Sequence, residues 1–191
     1  MREAFGIAAG LTHILSSFPY IRDILARKTK PHRGSFLIWL VLDLIALFSQ
    51  LAKGATWSLT LPGVDAIGVG LIFILSIRYG VGGLNRLDVT GLALAGLGLV
   101  LWYFTKQPLT ALLIIIAVDG IGLVMTFLKT YDAPYSETLS SWAIVALGGI
   151  LAAFAVGQLN PPLLLWPIYI FLSCGAMSIV IWQRRTRIVQ A

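Results

Sequence analysis

Three ionisable side chains interrupt long apolar stretches of this 191-residue chain: His13, Asp43 and Asp119. Each lies roughly nine residues from an end of its stretch, which at ~1.5 Å per helical residue is close to the middle of a bilayer. A charge at that depth costs at least ~2.5 kcal/mol on insertion scales, so the group should face the interior and have a partner. A carboxylate or imidazole held there can take up and release a proton, and can hold a polar solute by hydrogen bonds. The competing reading is a buried tie between helices, worth about 0.6 kcal/mol.

His13 and Asp119 share a setting. His13 stands six residues before Pro19, and Asp119 six before Met125. Tyr20 and Thr126 follow seven positions after His13 and Asp119, two helical turns on, so each pair lies on one helix face. Ser16 or Ser17 extends the first face and Gly122 the second. Asp43 has Ala146 as its rough counterpart and breaks the symmetry, either as the partner of His13 or as a second cavity carboxylate. Trp39 and Trp142 each follow a proline by eight residues (Pro31 and Pro134). They read as interfacial anchors or as a stacking surface for a substrate.

Other chemistry is poorly represented. Ser16, His13 and Asp43 supply the residue types of a hydrolase triad, with no further catalytic pattern around them. The two histidines do not form a His-x-x-x-His pair, and the single Cys174 lies in an apolar block. No enzyme activity, cofactor or metal is expected. The glycine-rich stretch from Tyr79 to Asp88 lacks the strand and the Lys-Ser/Thr of a phosphate loop and reads as a flexible connector.

Elements that carry these residues follow from composition. The chain is 58% hydrophobic and only 12% charged, against about 25% charged in soluble domains. Its apolar residues fall in blocks rather than amphipathic stripes, which gives an all-α integral membrane protein. Seven transmembrane helices are expected at about 4–21, 35–53, 62–78, 88–105, 108–128, 138–157 and 163–183. Pro62, Pro108 and Pro162 suit helix starts, and Pro19 should loosen or kink the last turn of the first helix. No cleavable leader is evident, since the first apolar block begins almost at once.

Basic residues orient the spans. One side would hold Arg22, Arg27, Lys28, Lys30, Arg33, Arg78, Arg86, Lys129, Arg184, Arg185 and Arg187, and the other only Arg2, Lys53 and Lys106. That bias puts the N-terminus outside and the C-terminus in the cytoplasm of a multi-pass protein of the plasma (inner) membrane. The net charge of +6 therefore reports topology, not nucleic-acid binding. The basic loop between the first two helices also suits anionic lipid. Trp57, Trp102, Trp166 and Trp182 read as belt residues.

The stretch FPYIRDILARKTKPHRGSFLIW at 18–39 returns in looser form at 124–142 as VMTFLKTYDAPYSETLSSW, which indicates an internal duplication. Two triplets of helices then flank a fourth, small-residue helix carrying Gly91, Ala95 and Gly98. This 3+1+3 order divides the chain into a first triple-helix bundle (1–82), a linker helix (83–106) and a second bundle with a basic tail (107–191). The pattern resembles the PQ-loop family, which includes the SWEET sugar transporters, cystinosin-type exporters and the KDEL receptors. Pro19 matches the family proline, with Tyr20 where Gln is usual, and Met125-Thr126 stands in place of the second Pro-Gln. The run from Lys129 and Tyr131 through Pro134 to Trp142 resembles the family's run beyond that dipeptide.

The resemblance implies two parallel triple-helix bundles and alternating-access transport of a small polar solute. On this reading His13, Asp43 and Asp119 line a midplane site between the bundles with Ser16, Tyr20, Thr126, Trp39 and Trp142, and one or more of them carries a coupling proton. Pro19 acts as a hinge. Expected partners are the solute, the bilayer and anionic lipid, and a homo-oligomer is compatible. The alternatives are a ligand-binding receptor or sorting protein, and a membrane scaffold, on the same fold.

Overall fold

The computed structural model describes residues 2–52, 60–83, 86–105, 107–157, 159 and 161–190; Lys53, Trp57 and Lys106 fall outside them. Among the described residues the chain is helical, with seven α-helices and no strand. They are α1 (Arg2–Leu25), α2 (Arg33–Ala52), α3 (Thr60–Tyr79), α4 (Arg86–Phe104), α5 (Pro108–Asp132), α6 (Leu139–Val156) and α7 (Pro161–Gln190), with a short 3₁₀ helix at Pro134–Ser136. Among the described residues, five stretches are long and apolar enough to cross a membrane: Arg2–Leu25, Arg86–Phe104, Leu112–Asp132, Leu139–Val156 and Leu163–Arg187.

The helices are sorted inside out. On α1 the buried positions are Ala9, Gly10, Thr12, Ser16, Tyr20 and Ile24, while Ile7, Leu11, Leu15 and Phe18 are exposed. Spacing of three and four separates the two stripes onto opposite faces, with the hydroxyl-bearing side chains turned inward. Water would not tolerate that arrangement and a lipid solvent does, because the backbone is satisfied within the helix and the outward face is hydrocarbon. The chain is thus of integral membrane character.

Several helices outrun their apolar blocks. α1 passes through Pro19 and runs to Leu25, where Arg27 in the left-handed conformation (φ 57°) closes it. The amides of Lys28 and Arg27 bond to the carbonyls of Asp23 and Ile24, the Schellman pattern. α5 continues through Lys129 to Asp132, and α7 continues through its arginines to Gln190.

The chain divides into two compact units, Met1–Thr29 with Phe127–Ala191, and Lys30–Thr126. The first combines α1, α6, α7 and the last turns of α5, so its members come from both ends of the chain. The second holds α2, α3, α4 and most of α5. In the first unit α6 contacts both α1 and α7. Gly148 and Gly149 permit this: a Cβ on Gly148 would strike Thr12 Oγ1 of α1, and one on Gly149 would lie 2.6 Å from the Phe171 amide nitrogen of α7. Ile24 of α1 and Met177 and Ile181 of α7 are fully buried. In the second unit α2 packs on α3 and α4. Its core joins Ile38 of α2, Ala95 of α4, and Val118 and Met125 of α5.

Candidate functional site

In the first unit the polar centre is Glu137, in the turn that leads into α6. Its side chain has no solvent exposure. Tyr20 Oη of α1 donates to Oε1 and Oε2 at 3.0 and 2.8 Å, and Trp142 Nε1 of α6 donates to Oε2 at 2.8 Å. Lys129 Nζ, on α5, completes the set as an ion pair to Oε1. The backbone carbonyl of Glu137 is held by Arg185 Nη2 of α7, whose Nε donates to the Pro134 carbonyl at 3.1 Å. One buried carboxylate thereby collects a donor from each of α1, α5 and α6, and its main chain one from α7. A buried charge persists only when it is paired and hydrogen-bonded like this. The flanks are tied too. Thr138 Oγ1 lies 2.6 Å from Thr29 Oγ1 and donates to Asp23 Oδ2 at 3.1 Å. Arg184 and Arg185 stack over Tyr131 and Tyr135, with Cζ to ring-centroid distances of 4.2 and 5.2 Å.

The second unit has a polar centre of its own at the start of α2. His32 Nε2 lies 3.1 Å from Asp88 Oδ1 of α4, and both side chains are buried. The other Asp88 oxygen accepts the Gly83 amide. His32 Nδ1 accepts the Ser35 amide at 3.3 Å, which caps α2, and lies 3.1 Å from Ser35 Oγ. That hydroxyl donates to the Gly122 carbonyl of α5 at 2.6 Å. Arg33 spreads its guanidinium over the carbonyls of Ser76, Gly80 and Gly82 at 2.8, 3.0 and 3.2 Å, covering the C-terminal end of α3. The glycine-rich connector, expected to be loose, is bonded through residue 83. Val81 exchanges backbone bonds with Pro31 and Arg33, and Gly82, at φ 80°, sits so close to the His32 ring that no Cβ would fit.

Ser35, His32 and Asp88 have the residue types of a nucleophilic triad. The arrangement is not one, because the hydroxyl hydrogen is committed to a carbonyl and the oxygen is buried.

The residues singled out from sequence divide between the units. In the first, His13 is half-buried on α1 and its carbonyl accepts the hydroxyls of Ser16 (2.7 Å) and Ser17 (3.4 Å). Tyr20 and Trp142 meet at Glu137. Pro19 lies inside α1, not at its end. In the second, Trp39 Nε1 lies 3.4 Å from the Asp119 carbonyl, which brings these two together across α2 and α5. Asp43 is half-buried one turn beyond Trp39 on α2, and Thr126 is buried on α5. Trp39 and Trp142 were matched to one another by spacing, yet one bonds to a neighbouring helix and the other to the turn preceding its own.

Glu137, His32 and Asp88 were not singled out from sequence. All three lie at helix ends, where charge is ordinarily solvated. Their signal was weak: a carboxylate between Pro134 and Trp142, and a histidine in an otherwise lysine- and arginine-rich loop.

A duplicated contact emerges from the geometry. Ser141 Oγ, on α6, donates to the Ser16 carbonyl of α1 at 2.8 Å, as Ser35 Oγ of α2 donates to the Gly122 carbonyl of α5. Both members of the second pair are displaced by 106 positions from those of the first, the displacement that relates His13 to Asp119. No family model matches the chain, and neither the curated proteins nor the solved structures give a match.

Proposed function

We propose that this chain is a membrane transporter that moves a small polar solute across the bilayer by alternating access. The observation that carries the reading is the repeated serine-to-carbonyl bond, made once by α6 on α1 and once by α2 on α5. A hydrogen bond recurring at one displacement is what an internal duplication leaves behind, and parallel repeats are a common plan of solute transporters. The half-buried His13, Asp43 and Asp119 support it further, since ionisable groups are retained in apolar helices chiefly where they serve a solute or a proton.

On this proposal the chain has seven spans in a 3+1+3 order, with the N-terminus outside and the C-terminus in the cytoplasm. His13, Asp43 and Asp119 bind the solute or a coupling proton, assisted by Ser16, Tyr20, Thr126, Trp39 and Trp142, and Pro19 is the hinge. The exposed Arg22, Arg27, Lys28 and Lys30 contact anionic lipid headgroups.

The test is reconstitution into proteoliposomes with a pH-reporting dye trapped inside. An imposed pH gradient should collapse faster when a sugar or amino acid from a defined panel is added, and Asp119→Asn should abolish that effect. A solute that stabilises the protein against heat without collapsing the gradient would replace transport by reception. A panel that neither stabilises nor collapses would leave a scaffold. A reporter fused at Ala191 should be active on the cytoplasmic side, and activity outside would overturn the orientation.

A further inference from the structure

Two adjacent arginines near the end of α7 are held in the same way. Arg184 Nε donates to the Tyr131 carbonyl at 2.9 Å, and its guanidinium lies over the Tyr131 ring at 4.2 Å. Arg185 Nε donates to the Pro134 carbonyl at 3.1 Å, and its guanidinium lies over the Tyr135 ring at 5.2 Å. The two then part. Arg185 commits Nη2 to the Glu137 carbonyl, inside the turn that leads to α6. Arg184 is half-buried, and among the described residues nothing engages its Nη1 or Nη2.

A guanidinium carries five N–H donors in one plane. With Nε on a carbonyl and one face on a tyrosine ring, the edge between Nη1 and Nη2 remains. That edge presents two parallel donors, which suit a phosphate. Much of the side-chain freedom that binding would otherwise remove is already gone. Arg187, exposed and three residues further along α7, sets a second cation beside the first. Asp132, the acidic neighbour of Tyr131 in the chain, is exposed and pairs with neither arginine among the described residues.

The depth of this edge is marked by aromatic side chains. Trp182, two residues before Arg184, is 57% exposed, and Tyr131 and Tyr135 are exposed where they meet the arginines. Exposed tryptophan and tyrosine belong at the level where hydrocarbon gives way to headgroups. Below that level α7 turns apolar groups outward. Exposed Ala176 lies about three turns before Arg187 on the same face, and exposed Leu172 about a turn earlier still.

We propose that Arg184 is the centre of a binding site for one anionic phospholipid, with the phosphate on its Nη1–Nη2 edge, Arg187 beside the headgroup, and an acyl chain along Ala176 and Leu172 of α7. A zwitterionic lipid offers the same phosphate, but its ammonium group would meet Arg187. Attraction spread over the exposed cations of the α1–α2 loop needs only charge. The Arg184 contact needs the planar fork, which lysine cannot supply. None of this depends on whether the chain transports a solute.

Native mass spectrometry of the full chain, released from detergent, counts the lipids it retains. Titrated with phosphatidylglycerol, the chain should hold one molecule more tightly than any further ones, and more tightly than it holds phosphatidylcholine. Arg184→Gln and Arg184→Lys should each weaken that first molecule by about tenfold. Lys28→Gln, which removes an exposed charge elsewhere, should leave it unchanged. Equal retention of the two lipids by the unaltered chain would overturn the proposal without recourse to a variant. So would an Arg184→Lys protein that binds as the parent does, or a loss from Lys28→Gln as large as that from Arg184→Gln, since either reduces the contact to diffuse charge. Displacement of the lipid by glycerol 3-phosphate at matched concentration would assign the edge to a soluble anion and overturn the lipid site.

Discussion

Tyr20 and Glu137 stand 117 residues apart in the chain and share a hydroxyl hydrogen, with the phenolic oxygen 3.0 and 2.8 Å from the two carboxylate oxygens. A hydrogen bond to a charged, buried acceptor is worth about 1.5–3 kcal/mol, more than one between neutral groups. Tyr20→Phe should therefore lower the thermal unfolding midpoint in detergent clearly. Tyr131→Phe serves as the control, since Tyr131 is exposed and its ring is stacked by Arg184. Equal midpoints for the two variants would mean that the phenol is not bonded as seen.

The Lys129–Glu137 pair gives a second expectation. Removing one partner of a buried pair leaves a charge without its counterion, at a cost of about 3–5 kcal/mol. Glu137→Gln and Lys129→Met should each be severe. The double variant should be milder than the sum of the singles, because it buries no lone charge. Chemical unfolding of the four proteins closes the cycle, and strict additivity would show that the pair is not coupled.

Ser35→Ala and Ser141→Ala should cost similar amounts near neutral pH, about 0.6 kcal/mol each and below ~1.7 kcal/mol, the range for such bonds in membrane proteins. The comparison checks the duplication energetically. A loss confined to one of the two would mean that the contacts are alike in geometry only.

Glycine packing makes the sharpest contrast. A Cβ at Gly149 would meet the Phe171 nitrogen at 2.6 Å and the Pro167 oxygen at 2.9 Å, both backbone atoms that cannot move aside. Gly149→Val should cost about 1–3 kcal/mol or more by forcing α6 from α7. At Gly175, on α7, nothing lies within 4 Å of the same atom. Gly175→Ala should be neutral or stabilise by up to about 1 kcal/mol, through the smaller entropy loss of alanine. Stability curves that rank the two variants the other way would reject the α6–α7 packing.

The existence of the helices was legible because each is a long apolar run. Their ends were less so. Hydropathy falls at Lys129 and at Gln183, yet the backbone goes on, since Lys, Arg and Gln favour the helix as well as leucine does. The polar centres were harder still. Glu137 is buried only because Tyr20 and Lys129 arrive from distant parts of the chain, and nothing local to the turn announces them. Trp39 and Trp142 stand in a different register. Their spacing from proline gives a displacement of 103, whereas the serine ties run at 106, and three residues on a helix is nearly a full turn. His13 and Asp119, matched at 106, share the register of the ties.

The order of synthesis meets a difficulty in the first unit. α1 leaves the ribosome well before α6, the partner of its inward face. At roughly 5–20 residues per second, the 117 positions from Tyr20 to Glu137 take about 6–23 s to make. Through that interval Thr12, Ser16 and Tyr20 would face lipid without the contacts that α6 later provides. The nascent helix must therefore wait beside the insertion machinery or a membrane chaperone, and a crosslinker placed at Ser16 should catch whichever protein shelters it.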